Sequence, residues 1–120
     1  MKLVQHLLDT KGSEVISIAR DASVFDAIRI MAERSVGSLL VMDQEQIVGI
    51  VTERDYARKV ILLGRSSETT TVAQVMTTEV ITATAEQTIK ECMTLMTEKR
   101  IRHLPVVAGE KVVGLISIGD

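Results

Sequence analysis

Apolar residues recur at helical spacing in two places along the chain: Val24, Ala27, Ile28 and Met31 in one, Ile89, Cys92, Met93 and Met96 in the other. Each stretch predicts an amphipathic helix with one buried face. Both open on a capping-box pattern, Ser23-x-x-Asp26 and Thr88-x-x-Glu91, in which a hydroxyl and a carboxylate satisfy N–H groups that the first turn leaves orphaned. Two β-rich runs follow each helix, Ser38 to Met42 and Ile47 to Val51, then Leu104 to Val107 and Val112 to Ile116, with polar turn residues between. A short extended segment precedes each helix, and Thr52 opens a further helix that runs to about Leu63.

The two stretches are copies of one unit. Residues 16–55 lie over residues 81–120 at a constant offset of 65 without a gap. Identities fall at Ile16/Ile81, Met31/Met96, Glu33/Glu98, Leu39/Leu104, Val41/Val106, Glu45/Glu110, Val48/Val113, Gly49/Gly114 and Asp55/Asp120. A shorter echo precedes each copy, since Val4 to Leu8 resembles Val72 to Met76. The stretch Gly64 to Thr71 has the polar composition of a linker, which divides the chain into a first repeat at 1–63 and a second at 72–120. The unit reads β-α-β-β-α, and two of them can bury sheets and helices together as an α/β (α+β) sandwich.

Composition narrows the function classes. A chain of 120 residues with 46% apolar and 25% charged side chains is a folded domain that can bury one core rather than two independent ones. The net charge of -2, with no Lys/Arg block, argues against nucleic acid as a partner. One Tyr, one Phe and no Trp cannot build an aromatic stacking platform, so a bound base would rest on aliphatic side chains. Cys92 is the single cysteine, which excludes an intrachain disulfide and zinc-type ligand spacing and suits a reducing compartment. The start of the chain has too short an apolar stretch for a signal peptide, and no run approaches the roughly 20 apolar residues of a membrane span. A cytoplasmic protein with no membrane partner is expected.

The candidate chemistry lies in Gly-x-x-[Thr/Ser]-x-x-Asp, present as Gly49, Thr52 and Asp55 and again as Gly114, Ser117 and Asp120. A strand glycine, lacking Cβ, lets a ligand or a second backbone approach closely. A hydroxyl at a strand-to-helix junction sits where free N–H groups and the helix dipole favour phosphate. An acid one turn later can accept hydrogen bonds from both hydroxyls of a ribose, so the three residues describe a ribose-phosphate cradle. The same Thr-x-x-Asp and Ser-x-x-Asp spacing is also that of a capping box, the device used at Ser23 and Thr88. Recurrence at the same offset, with glycine three residues upstream, favours the cradle.

The paired motif endings, together with Arg102-His103-Leu104-Pro105-Val106-Val107, resemble the CBS domain family over nearly the whole chain, with small stand-alone bacterial CBS pairs nearest in character. That resemblance implies two repeats packed with pseudo-twofold symmetry, a Bateman module, whose cleft holds up to two adenosine-containing ligands: AMP, ADP, ATP, NAD or, in some members, S-adenosylmethionine. By position it implies that Asp55 and Asp120 bind ribose hydroxyls and that Thr52 and Ser117 bind ribose or phosphate. Val36, Gly37 and Ser38, with Ile101, Arg102 and His103, would frame adenine and its phosphate, while Ile18 and Ala83 would touch the base. The two sites differ, because Gly37, Ser38 and Leu40 of the first copy become Arg102, His103 and Pro105 in the second, and the added basic groups should favour phosphate there. Arg54 and Arg58 could reach phosphate, although exposed helix arginines often do no more than face solvent. The family pattern continues past Asp120 into another helix, so truncation, or a helix supplied by a partner, is expected, with an apolar patch uncovered and a homodimer to hide it.

Three functional classes follow. The first is a ligand-sensing regulatory module with no catalytic cofactor, and the second a structural or dimerisation pair with empty or degenerate sites. The third, an enzyme such as a nucleotide hydrolase, is opposed by the sequence: no nucleophile sits beside a base, no metal cluster occurs, and there is no Walker-type loop.

Overall fold

The computed structural model describes residues 1–12 and 15–118 of the chain. The elements among these residues are, in order, α1 (Val4–Lys11), β1 (Ser17–Ala19), α2 (Val24–Arg34), β2 (Ser38–Asp43), β3 (Gln46–Thr52), α3 (Glu53–Tyr56) with a π-helical continuation (Ala57–Ile61), α4 (Val72–Val75), α5 (Ile89–Lys99), β4 (His103–Ala108) and β5 (Lys111–Ser117). The mixed α/β character expected from the repeats is present, and the chain folds into two compact units. One is Ile16–Val80; the other joins Met1–Val15 to the segment from Ile81 on.

In the first of these, β1 and β2 run parallel and β2 and β3 antiparallel, in the order β1-β2-β3. A parallel pair needs a crossover, and α2 supplies it. The predicted apolar face is the buried one: Val24, Ala27 and Met31 pack with Leu39, Val41, Val51, Val60, Val72 and Val75. Ser23 caps α2 by accepting the Asp26 N–H at 3.1 Å, but the Asp26 carboxylate lies 3.6 Å from Arg29 and does not return to the cap. The polar stretch before α4 covers the next two donors, since Thr70 and Ser67 carbonyls take the Val24 and Phe25 N–H groups at 2.8 and 2.9 Å.

The second unit repeats the plan with α5 and the β4/β5 hairpin, around Ala83, Cys92, Met96, Leu104, Val106 and Ile116. Here the full capping box forms, with Thr88 Oγ1 accepting from Glu91 N at 3.0 Å and Glu91 Oε1 accepting from Thr88 N at 2.9 Å. The Thr88 N–H bond, with a second from the Thr88 hydroxyl to Glu91 Oε1 at 3.0 Å, holds the Glu91 carboxyl below its usual range, the backbone bond contributing most. Burial pushes the Cys92 thiol up, and the neighbouring Glu91 charge adds to it.

The counterpart of β1 shrinks to a single parallel bridge, Ala83 to Val106, and Pro105 supplies the reason. Its equivalent, Leu40, donates its N–H to Ile16 O at 3.2 Å; proline has no N–H to give Ile81.

The short helices carry the echo seen in the sequence. Val72 N–H donates to Ala22 O at 2.8 Å and Ala73 N–H to Arg20 O at 2.9 Å; in the other unit Val4 N–H donates to Gln87 O at 2.9 Å and Gln5 N–H to Ala85 O at 3.0 Å. So α4, which follows the polar stretch, completes the core of the first repeat, and α1, at the chain start, completes that of the second, with Val4 and Leu8 in its apolar cluster.

Candidate functional site

At the end of β3 the chain turns directly into α3, and the motif occupies the turn. Thr52 Oγ1 accepts the Asp55 N–H at 3.2 Å and donates to Asp55 Oδ2 at 3.2 Å, while the Thr52 N–H donates to the same Oδ2 at 3.0 Å. This is a complete capping box, so the local geometry forms the structure that the sequence offered as the alternative to a cradle. Asp55 is nonetheless 8% exposed, unusual for a carboxylate, and its Oδ1 lies 3.1 Å from Lys59 Nζ. Lys59 also donates to Val75 O at 2.9 Å.

Directly across the β2/β3 ladder from Thr52 stands Ser38, buried, its hydroxyl without a hydrogen-bond partner among the described residues. Gly37 O beside it accepts the Glu53 N–H at 3.1 Å. The second unit reproduces this frame: His103 pairs with Ser117 across β4/β5, and Arg102 O accepts the Ile118 N–H at 2.9 Å. Ser38 and Thr52, with Val36 and Gly37 just before them, are therefore brought to one end of one sheet, and His103 and Ser117, with Ile101 and Arg102, to the matching end of the other. Asp120, the acid of the second motif, lies outside the described residues.

The motif glycines do make room, but for the protein's own side chains. A Cβ at Gly49 would meet Met76 Sδ at 2.7 Å and Thr77 O at 3.0 Å; one at Gly114 would meet Leu8 Cδ2 at 2.6 Å. Met76 and Leu8 are equivalent in the echo. Ala83, expected near a base, is buried with its N–H donated to Pro105 O at 2.9 Å and its carbonyl accepting the Val107 N–H at 2.8 Å. Ile18 is half-buried on β1 opposite Val41, and Pro105 is buried in β4 opposite Leu115. Arg54 and Arg58 are exposed, Arg54 on α3 and Arg58 on its π-helical continuation, and Arg102 is exposed just before β4. Sequence reasoning missed Lys59; its signal was the i, i+4 spacing from Asp55. Among the described residues no group of His, Cys, Asp and Glu could hold a metal ion, and no helix is long and apolar enough to cross a membrane.

Residues 9–62 and 72–120 each match the sequence model of the CBS domain. A mitochondrial CBS domain-containing protein of Arabidopsis thaliana, CBSX3, is 46% identical over 105 residues, which are 83% of this chain and 51% of that protein, so the chain spans about half that relative's length. The structure of a CBS-domain protein from Burkholderia ambifaria is 50% identical with a TM-score of 0.96, covering 98% of this chain and 89% of that one. The CBS domain pair of the protein MJ0100, solved with 5′-methylthioadenosine and S-adenosyl-L-methionine, is 27% identical with a TM-score of 0.83, over 98% of this chain and 90% of that one. With two matching repeats, each carrying the motif frame at the end of its sheet, the chain belongs to the CBS domain family.

Proposed function

We propose that the chain is a non-catalytic regulatory module that binds an adenosine-containing ligand, AMP, ADP, ATP, NAD or a sulfonium nucleoside, at the strand-to-helix motif. The observation that carries this reading is the Ser38 hydroxyl, buried with no partner among the described residues, across the β2/β3 ladder from Thr52, whose capping partner Asp55 is buried too. A buried polar group without a partner costs about 1–3 kcal/mol, and a ligand that hydrogen-bonds it removes that cost. Asp55 then serves the ribose, Thr52 the ribose or phosphate, and Val36 to Ser38 the base. The adenosine-type ligands of the MJ0100 pair support the ligand class. Ser117, Ile101, Arg102, His103 and Asp120 take the same parts in the second repeat, with more positive charge toward phosphate.

The completed Thr52–Asp55 cap favours a second reading, a pair that acts through its surface alone. A thermal-shift screen with AMP, ADP, ATP, NAD, S-adenosylmethionine and methylthioadenosine separates the two. A cognate ligand at about 100 times its Kd adds roughly 2.7 kcal/mol, on the order of 10 °C for a domain of this size. No shift with any of the six favours the surface reading. A homodimer in the cytoplasm completes the proposal. Ile61, Leu62 and Leu63 form an exposed apolar run, and a second copy would cover such a patch. A monomeric mass by light scattering at tens of micromolar removes that part.

A further inference from the structure

The two ends of the first motif are tied together through α4. Lys59 links the Asp55 carboxylate to Val75 O, the carbonyl of the last α4 residue, at 3.1 and 2.9 Å. The next residue, Met76, seats its sulfur 2.7 Å from where a Cβ of Gly49 would stand, and Thr77 pairs with Ile50 through bonds of 2.8 and 3.0 Å. Asp55, Lys59, Val75, Met76 and Gly49 thus form a closed ring around the motif. The chain leaves this compact unit at Val80, a few residues beyond the ring.

A carboxylate has roughly four acceptor sites. Thr52 N–H and Thr52 Oγ1 use two on Oδ2, and Lys59 uses one on Oδ1. A vicinal diol that donates two hydrogen bonds to Asp55 needs two sites and finds one. One of the present donors must leave. The Thr52 N–H is fixed by the strand and Thr52 Oγ1 is held in the cap by the Asp55 N–H at 3.2 Å, whereas the Lys59 side chain is 41% exposed and can be solvated by water. We propose that Lys59 is a latch: a diol-bearing ligand displaces its ammonium from Asp55, and its second hold, on Val75 O, carries that displacement to α4 and the Met76–Thr77 segment. The inference rests on the reading of Asp55 as a ribose-binding acid, and it adds the element that ligand binding would move. Lys59 is a positioning residue in this scheme, acting on ligand only through Asp55.

The test uses the full chain as wild type, Lys59→Met, Lys59→Arg, Asp55→Asn and the double variant Lys59→Met/Asp55→Asn. The probes are adenosine, which carries the diol and no phosphate, and 2′,3′-dideoxyadenosine, which lacks the diol. Without ligand, the Met76 and Thr77 amides of Lys59→Met should exchange roughly 2- to 5-fold faster than wild type, the range that a partly exposed ion pair supports. Asp55→Asn should match it, the double variant should add nothing, and Lys59→Arg should stay near wild type. Equal exchange in wild type and Lys59→Met, or additive effects in the double variant, overturns the latch. With ligand, Lys59→Met should bind adenosine roughly 2- to 5-fold more tightly than wild type, since no ammonium has to be displaced, and bind dideoxyadenosine as wild type does. Tighter binding of both nucleosides, or weaker binding of adenosine, overturns the displacement step. If wild type binds no adenosine compound at all, the functional reading and the ligand-driven step fall together, and the exchange comparison without ligand still decides whether Lys59 joins Asp55 to α4.

Discussion

The first and second compact units share one backbone plan at an offset of 65, yet they satisfy the same groups by different means. In the first, β1 pairs with β2 along Ser17 to Ala19; in the second, Pro105 withholds the N–H that would continue the ladder and one bridge remains. At the helix start, Ser23 caps while the Asp26 carboxylate faces Arg29 and the Thr70 and Ser67 carbonyls take the Val24 and Phe25 N–H groups, whereas Thr88 and Glu91 close a reciprocal box. The behaviour of the glycine is the same in both, but a thioether from the residue after α4 fills one and an isobutyl group from α1 the other. A shared fold therefore constrains where backbone groups must be satisfied and leaves open which atoms do it.

The largest effect should come from truncating one of the two side chains, Val4 and Leu8, that α1 places in the core of its unit. Leu8→Ala is expected to cost about 2–4 kcal/mol in urea unfolding. Its amide exchange should accelerate in β5 and leave β3 unchanged; faster exchange in β3 would break the assignment of α1 to the second repeat.

Next come the motif glycines. Gly49→Ala and Gly114→Ala both overpack, by about 1–3 kcal/mol. Gly49→Ala should be the costlier, because the added methyl meets the Thr77 carbonyl as well as the flexible Met76 end, while at Gly114 only Leu8 has to give. Equal costs would mean that the backbone oxygen moves as readily as a leucine methyl.

The substitution Pro105→Leu offers Ile81 O the missing donor. Stability should change by less than about 1 kcal/mol, and the sharper readout is the amide that the substitution creates. Protection of that amide comparable to that of Leu40 is expected; rapid exchange there would show that something other than proline limits the pairing.

The smallest effect is a pH dependence. The Glu91 carboxyl is held low in the folded chain, so its contribution is present above the unfolded carboxyl pKa and is lost as pH falls through the lower folded value. Wild type should therefore lose slightly more stability than Glu91→Gln on acidification below the usual carboxylate range. Identical acid limbs would remove the cap from the account of α5.

The repeat, both long helices, the paired β runs and the Thr88 box were legible in the sequence because each rests on local spacing, periodicity or capping chemistry. The destinations of α1 and α4 were not, although their kinship was visible: they dock through backbone bonds such as Val4 to Gln87, which leave no mark on residue type. The occupants of Gly49 and Gly114 were hidden for the same reason, since a glycine signals a close approach without naming what approaches. At Thr52 and Asp55 the spacing correctly announced two geometries at once, and the structure forms the cap. The helix opened at Thr52 was expected as one stretch to about Leu63; after one α turn the chain widens into a π-helical segment, Ala57–Ile61, which carries Lys59.

Whether Asp55 serves a ligand as well as the cap is the central question, and calorimetric titration of Asp55→Asn against wild type tests it most directly. Asparagine keeps an oxygen for the Thr52 N–H but loses the charge. Hydrogen bonds to a charged group contribute about 1.5–3 kcal/mol, so the variant should bind the adenosine ligand identified by the screen roughly 10- to 100-fold more weakly at that site. Losing the whole cap, as in Asp55→Ala, should cost about 1 kcal/mol of stability, and the Asn variant should melt closer to wild type. If Asp55→Asn binds every adenosine compound as tightly as wild type and only Asp55→Ala loses stability, Asp55 is a helix cap and the assigned site is wrong.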